Sequence, residues 1–129
     1  MNFDGIRVIK INLNTSNKVY NFQNDTFLDD KKILRIETFD ANDIAYDENG
    51  TAIVAADRAN QAYITMKDKN NTNVLNNVPY NQYSMSQNNG IVINFPDKGL
   101  QFDWGNSQLS FGTAPAATSV AIFSVYYKI

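Results

Sequence analysis

The chain has 129 residues, enough for one domain that buries its own core without a covalent staple. It contains no histidine and no cysteine, which removes the imidazole base, the thiolate nucleophile, the soft metal ligand and any disulfide framework. With 11 basic against 13 acidic residues the formal charge is -2, without the basic excess of a duplex-DNA binder.

Residues 6–13 predict a first strand: Ile6, Val8, Ile11 and Leu13 interleave with Arg7, Lys10 and Asn12, and Ile9 stands out of phase. Asn14, Thr15, Ser16 and Asn17 make a turn cluster, and residues 19–22 read as a second strand pairing back on the first. Residues 24–32 form a polar loop from which Phe27 and Leu28 tuck inward. Residues 33–39 are a strand with Arg35 and Glu37 on one face. A loop over residues 40–43 leads to the apolar runs 44–46 and 52–55, which flank Asn49-Gly50, a strong signal for a hairpin with a type I′ turn.

Residues 62–66 predict a strand, residues 67–73 a turn, and residues 74–80 a short extended piece that Pro79 confines to an edge or a strand end. Residues 83–89 are polar, with Asn89-Gly90 as a second turn signal before a strand at 91–95 that Pro96 stops. Residues 99–104 and 108–111 read as a further pair around Gly105-Asn106, and residues 119–127 are the last and longest run. The helix-like windows at 27–34 and 55–63 do not sustain a 3.6 period. About eight to ten short strands at this spacing predict an all-β fold. The expected form is one antiparallel β-sandwich domain over 1–129, a single jelly roll with little or no helix.

Asparagine occurs 19 times, and it suits tight turns because it tolerates positive φ. The four N-x-S/T sequons at Asn14, Asn24, Asn49 and Asn70 follow from that abundance, since residues 1–5 carry no basic n-region leading into an apolar one. No run reaches the ~20 apolar residues of a membrane span. The expectation is synthesis in a cytoplasm without a signal peptide.

Catalytic candidates are few. Asp40, Asp43, Asp47 and Glu48 are the one acidic cluster that a glycosidase or a calcium site would draw on, but the EF-hand spacing fails at Ile44 and a solvated hairpin flank accounts for it. Asp68 to Asn73 offers oxygens to a hard cation and reads more simply as a hairpin tip. No glycine-rich phosphate loop occurs, and Ser84 and Ser86 have no lysine at the spacing of a Ser-Lys pair. The expectation is therefore no enzymatic activity, no cofactor and no metal. The aromatic residues are the remaining resource. Most of the phenylalanines fill a core, whereas Tyr80 and Tyr83, beside Pro79 in a polar segment, are candidates for an interface. Tyr126 and Tyr127 point to opposite faces of their strand, which puts one of them outside the core and makes them the other interface candidates.

A resemblance adds to this reading. The segment Ala62-Tyr63-Ile64-Thr65-Met66-Lys67-Asp68-Lys69, followed by Val74-Leu75-Asn76-Asn77-Val78-Pro79-Tyr80, resembles a strand, turn and L-x-x-V-P piece of small virion proteins of icosahedral bacteriophages. Phe102-Asp103-Trp104-Gly105-Asn106-Ser107-Gln108-Leu109-Ser110-Phe111 resembles their I-D-W-x-x-S-x-I stretch, and Phe123-Ser124-Val125-Tyr126-Tyr127 their last strand. The resemblance covers the C-terminal half and implies a single jelly-roll minor or vertex (penton) capsid protein. Its expected partners are itself, as a homo-oligomer or pentamer, and other capsid proteins; its expected place is the virion. It names no binding residues. The alternative expectation is a carbohydrate-binding β-sandwich module, such as an adhesin, using exposed aromatics.

Overall fold

A computed structural model describes residues 2–39, 62–79, 81–83, 88–112, 114 and 118–129. Its strands are β1 (Gly5–Leu13), β2 (Val19–Asn21), β3 (Lys32–Phe39), β4 (Ala62–Lys67), β5 (Asn73–Pro79), β6 (Asn81–Tyr83), β7 (Asn88–Gly90), β8 (Val92–Asn94), β9 (Gln108–Phe111) and β10 (Ser119–Lys128). Two four-stranded antiparallel sheets, β1-β10-β3-β8 and β2-β9-β4-β5, pack as a sandwich; β6 and β7 form a separate two-stranded ribbon. Among the described residues there is no α-helix, and a 3-10 turn covers Trp104–Asn106.

Pairing is nested along the chain. With the β6–β7 ribbon set aside, the first strand pairs with the last (β1 with β10), the second with the one before it (β2 with β9), the third with β8, and the middle two, β4 and β5, with each other. The core lies between the sheets. Ile11, Ile36, Phe123 and Val125 from one side meet Tyr20, Ile64, Met66 and Leu109 from the other, and Phe102 and Trp104 are fully buried in the same cluster. Phe22, Trp104, Phe102 and Phe95 form a chain of tilted and edge-to-face rings with centroids 5.8, 5.6 and 5.2 Å apart, the offset geometry favoured by ring quadrupoles.

Four expectations are corrected. The strand at 19–22 does not pair back on the first: β2 pairs with β9 in the opposite sheet. The turn at 14–18 carries the chain across the sandwich. Its geometry is set by Asn14, whose Oδ1 accepts the N–H groups of Ser16 and Asn17 at 2.9 and 2.8 Å, and by the Tyr20 hydroxyl, which donates to the Asn14 carbonyl at 2.9 Å. Within β1 the inward residues are Ile9, Ile11 and Leu13. The register to β10 is continuous, so Ile6 and Val8 fall on the outward face.

Residues 99–104 are not a strand. Leu100 bridges Ile33 in one sheet and Phe102 bridges Asp68 beside the other, so this segment crosses between the layers and seats Phe102 and Trp104 at the centre. It is launched by a turn in which Gly99, at φ +74, places its N–H 2.7 Å from the Pro96 carbonyl. Asn89-Gly90 is not a turn either; it lies within β7, paired with Asn81 and Gln82 of β6. The Asn49-Gly50 hairpin and the acidic cluster at Asp40, Asp43, Asp47 and Glu48 lie outside the described residues.

Other expectations hold. Pro79 ends β5, an edge strand, and Asp68 tips the β4–β5 hairpin, with its Oδ1 accepting the N–H groups of Asn70 and Thr72 at 2.9 and 3.0 Å. Leu28 is fully buried. Among the described residues no helix is long and apolar enough to cross a membrane.

Candidate functional site

Of the four tyrosines expected at an interface, Tyr80 lies outside the described residues. Tyr83 is placed only by its backbone, opposite Asn88. Tyr126 and Tyr127 do diverge, with a register shift between them against β3. Tyr127 turns toward the core, where its ring meets Phe27 edge-on at 5.0 Å and its hydroxyl end lies over Gly5. Tyr126 turns outward onto the face of the β1-β10-β3-β8 sheet.

That outward face can be read row by row, because directly opposed residues of antiparallel strands share a face. One row runs Ile6, Tyr126, Arg35, Asn94, and the next runs Val8, Ser124, Glu37, Val92. Ile6, Val8 and Val92 are exposed at 49%, 54% and 53%, and Phe3 at 41% stands edge-on to Tyr126 at 5.0 Å. Between these apolar flanks lies a polar knot. The Arg35 guanidinium sits 5.5 Å from the Tyr126 ring centroid, donates to Asn94 Oδ1 at 2.9 Å, and pairs with Glu37 Oε1 at 3.2 Å. The outward side of the other sheet is mixed: Val19, exposed at 52%, and half-exposed Tyr63 lie among Asn21, Thr65, Lys67, Gln108 and Ser110.

Side chains of this kind offer contact area and a specific ion-pair register. No imidazole or thiol is present in the chain, and among the described residues no group of three or more acidic side chains is placed to hold a metal ion. Among the described aromatics, Tyr63 is half-exposed on the outward side of the second sheet, opposite Ser110. Trp104 and Tyr20 are buried, and Tyr126 is already covered by Phe3 and Arg35.

The sequence reading missed Ile6, Val8 and Val92. The signal was present: from residue 6 to residue 11 each phase of β1 carries two aliphatic side chains, Ile6 and Val8 on one and Ile9 and Ile11 on the other, so an unbroken strand must leave one pair outside the core.

The second notable region is the open side of the sandwich where β1 and β2 form the sheet edges. A groove of about 700 Å³ runs there, between Arg7 to Asn12 on one wall and Val19 to Asn21 on the other. Arg7 lies on the inward row of β1, opposite Val125, and closes the mouth of the core. Its guanidinium stacks 4.9 Å from the Phe27 ring centroid, and its Nε donates to Asp25 Oδ2 at 2.7 Å. Burial pushes the Asp25 carboxyl up, but the hydrogen bonds from Arg7 and from the N–H groups of Phe27 and Leu28 outweigh it and hold it below its ordinary value of 3.8.

A scan against protein-family models, a search of curated proteins and a search of solved structures each returned no match.

Proposed function

We propose that this chain is a non-enzymatic structural subunit of a bacteriophage virion, a minor or vertex capsid protein, and that the outward face of the β1-β10-β3-β8 sheet is its main contact surface. The observation that carries the reading is that face: three aliphatic side chains about half exposed on one sheet, around a fixed Arg35–Glu37–Tyr126 knot. Burying the exposed half of each is worth about 1 kcal/mol. A patch of this kind with a polar centre is the composition of a protein–protein interface. The nested pairing of strands supports the jelly-roll assignment, because a long antiparallel hairpin rolled onto itself pairs its strands from the ends inward. Closed cyclic assembly follows for a subunit that repeats around an axis, fivefold at a vertex.

The test is mass spectrometry of density-purified particles from cultures that make the chain, with native mass spectrometry of the isolated protein beside it. The reading expects the chain in the particles at fixed stoichiometry. Particles that lack it, together with a chain that stays monomeric at high concentration, would contradict it.

A further inference from the structure

We propose that the free edge of β1 accepts an extended, carboxylate-bearing segment of another protein, added as a further strand to the β1-β10-β3-β8 sheet. This goes beyond the assembly reading and does not depend on it.

The argument starts from the four sandwich edges. Natural sheets blunt their edges by shortness, proline, bulges or charge. Here β2 and β8 have three residues each, and Pro96 follows β8 closely. The remaining edge of the second sheet, β5, ends on Pro79 and is bulged against β4, with Asn77 at φ 53. β1 differs from all three in length and regularity, and its blunting device is charge, Arg7 on the inward row and Lys10 on the outward one. It has nine residues, no proline, and an unbroken nine-pair register to β10, and among the described residues no strand occupies its other side.

The groove beside that edge runs the length of a short strand. Six consecutive β1 residues, Arg7 to Asn12, line it, which is about 20 Å of extended chain. An incoming strand would take the edge N–H and C=O groups, the recognition mode of β-augmentation, and would extend the exposed apolar row of Ile6 and Val8 on the outward face.

Charge selects the occupant. Lys10 is exposed, and among the described residues it has no carboxylate at ion-pair distance. Among the described residues lining the groove the one acid, Asp25, is already engaged by Arg7 and two backbone N–H groups. Among the described lining residues one positive charge, that of Lys10, is therefore left without an opposite partner. β1 itself carries no carboxylate, so a second copy pairing β1 to β1 offers Lys10 no opposite charge, which disfavours self-pairing. A strand with a carboxylate opposite Lys10 meets complementary charge and gains backbone hydrogen bonds at once.

The test is a random-peptide display selection on the immobilised full chain. Enriched peptides are then titrated against wild type, Lys10→Ala and Lys10→Glu, and amide hydrogen exchange is followed on the complex. Lys10 is exposed, so both variants keep the fold, and circular dichroism verifies this. The proposal expects enriched sequences with alternating acidic positions, at least tenfold weaker binding to Lys10→Glu with Lys10→Ala between, and slowed exchange at residues 5–13. Four outcomes would overturn it: no enrichment, acid-poor peptides, equal binding to Lys10→Glu, or protection confined elsewhere. A concentration-dependent dimer protected at β1 without peptide would also overturn it, in favour of self-pairing.

Discussion

At Gly5 a single absent atom sets the packing. A Cβ there would lie 2.5 Å from the Tyr127 hydroxyl and 2.7 Å from its ring, and that ring is held against Phe27. Gly5→Ala is expected to cost about 1–3 kcal/mol in urea denaturation. In the Tyr127→Leu background the same change should cost much less, so a double-mutant cycle reads the contact directly. Asp25 gives a pH signature. Its carboxyl is held below its ordinary value in the folded state, so the stability it contributes is present above the unfolded pKa and is lost as pH falls through the folded one. Asp25→Ala should therefore be clearly less stable than wild type at pH 7, with the gap closing as the pH drops below about 3.9. A gap that persists unchanged at low pH would assign the effect to packing alone. At the core, Phe102→Ala removes a fully buried ring that touches Phe95 and Trp104, and should cost about 3–5 kcal/mol.

Single elements were the most legible scale in the sequence. Alternation placed β1, β3, β4, β8, β9 and β10 because each buries one face, and Pro79 and Pro96 marked strand ends because proline cannot donate to the ladder. What stayed hidden was pairing. The turn after β1 looks like a hairpin from its residue types alone, yet Tyr20 must bury its ring against the opposite layer while its hydroxyl holds Asn14, and that sends β2 to the other sheet. Residues 99–104 carry strand-like apolar spacing because Leu100, Phe102 and Trp104 all need burial, but they find it by spanning two sheets. The candidate site was half visible. Tyr126 was singled out, whereas Ile6 and Val8 looked like core because alternation gives the phase of a strand and not which face is inside. Tyr20→Phe tests the crossing turn. Losing a part-buried hydroxyl bond and leaving the Asn14 N–H without its 3.0 Å acceptor should cost about 1–2 kcal/mol in thermal unfolding, with the fold retained.

Over the whole molecule, β10 holds the account together. It lies between β1 and β3, contributes Phe123 and Val125 to the core, and presents Tyr126 on the outward face. Nested pairing of this kind joins the two ends of the chain, so most stabilising contacts are distant in sequence and folding should be slow, on the order of milliseconds to seconds. Removing residues 119–129 is expected to leave a chain without cooperative unfolding, because two of the three pairings in the first sheet disappear together. The outward face is a separate matter from the fold. Val8 and Val92 are exposed on it at its two margins, so acidic substitutions there should change stability by no more than about 0.5–1 kcal/mol. They should nevertheless damage contact with a neighbouring subunit. The most direct measurement is the amount of wild-type and Val8→Glu/Val92→Glu chain recovered in purified particles, with circular dichroism showing both folded. The account predicts wild type at fixed stoichiometry and the double variant depleted at least tenfold; equal incorporation of the two would contradict it.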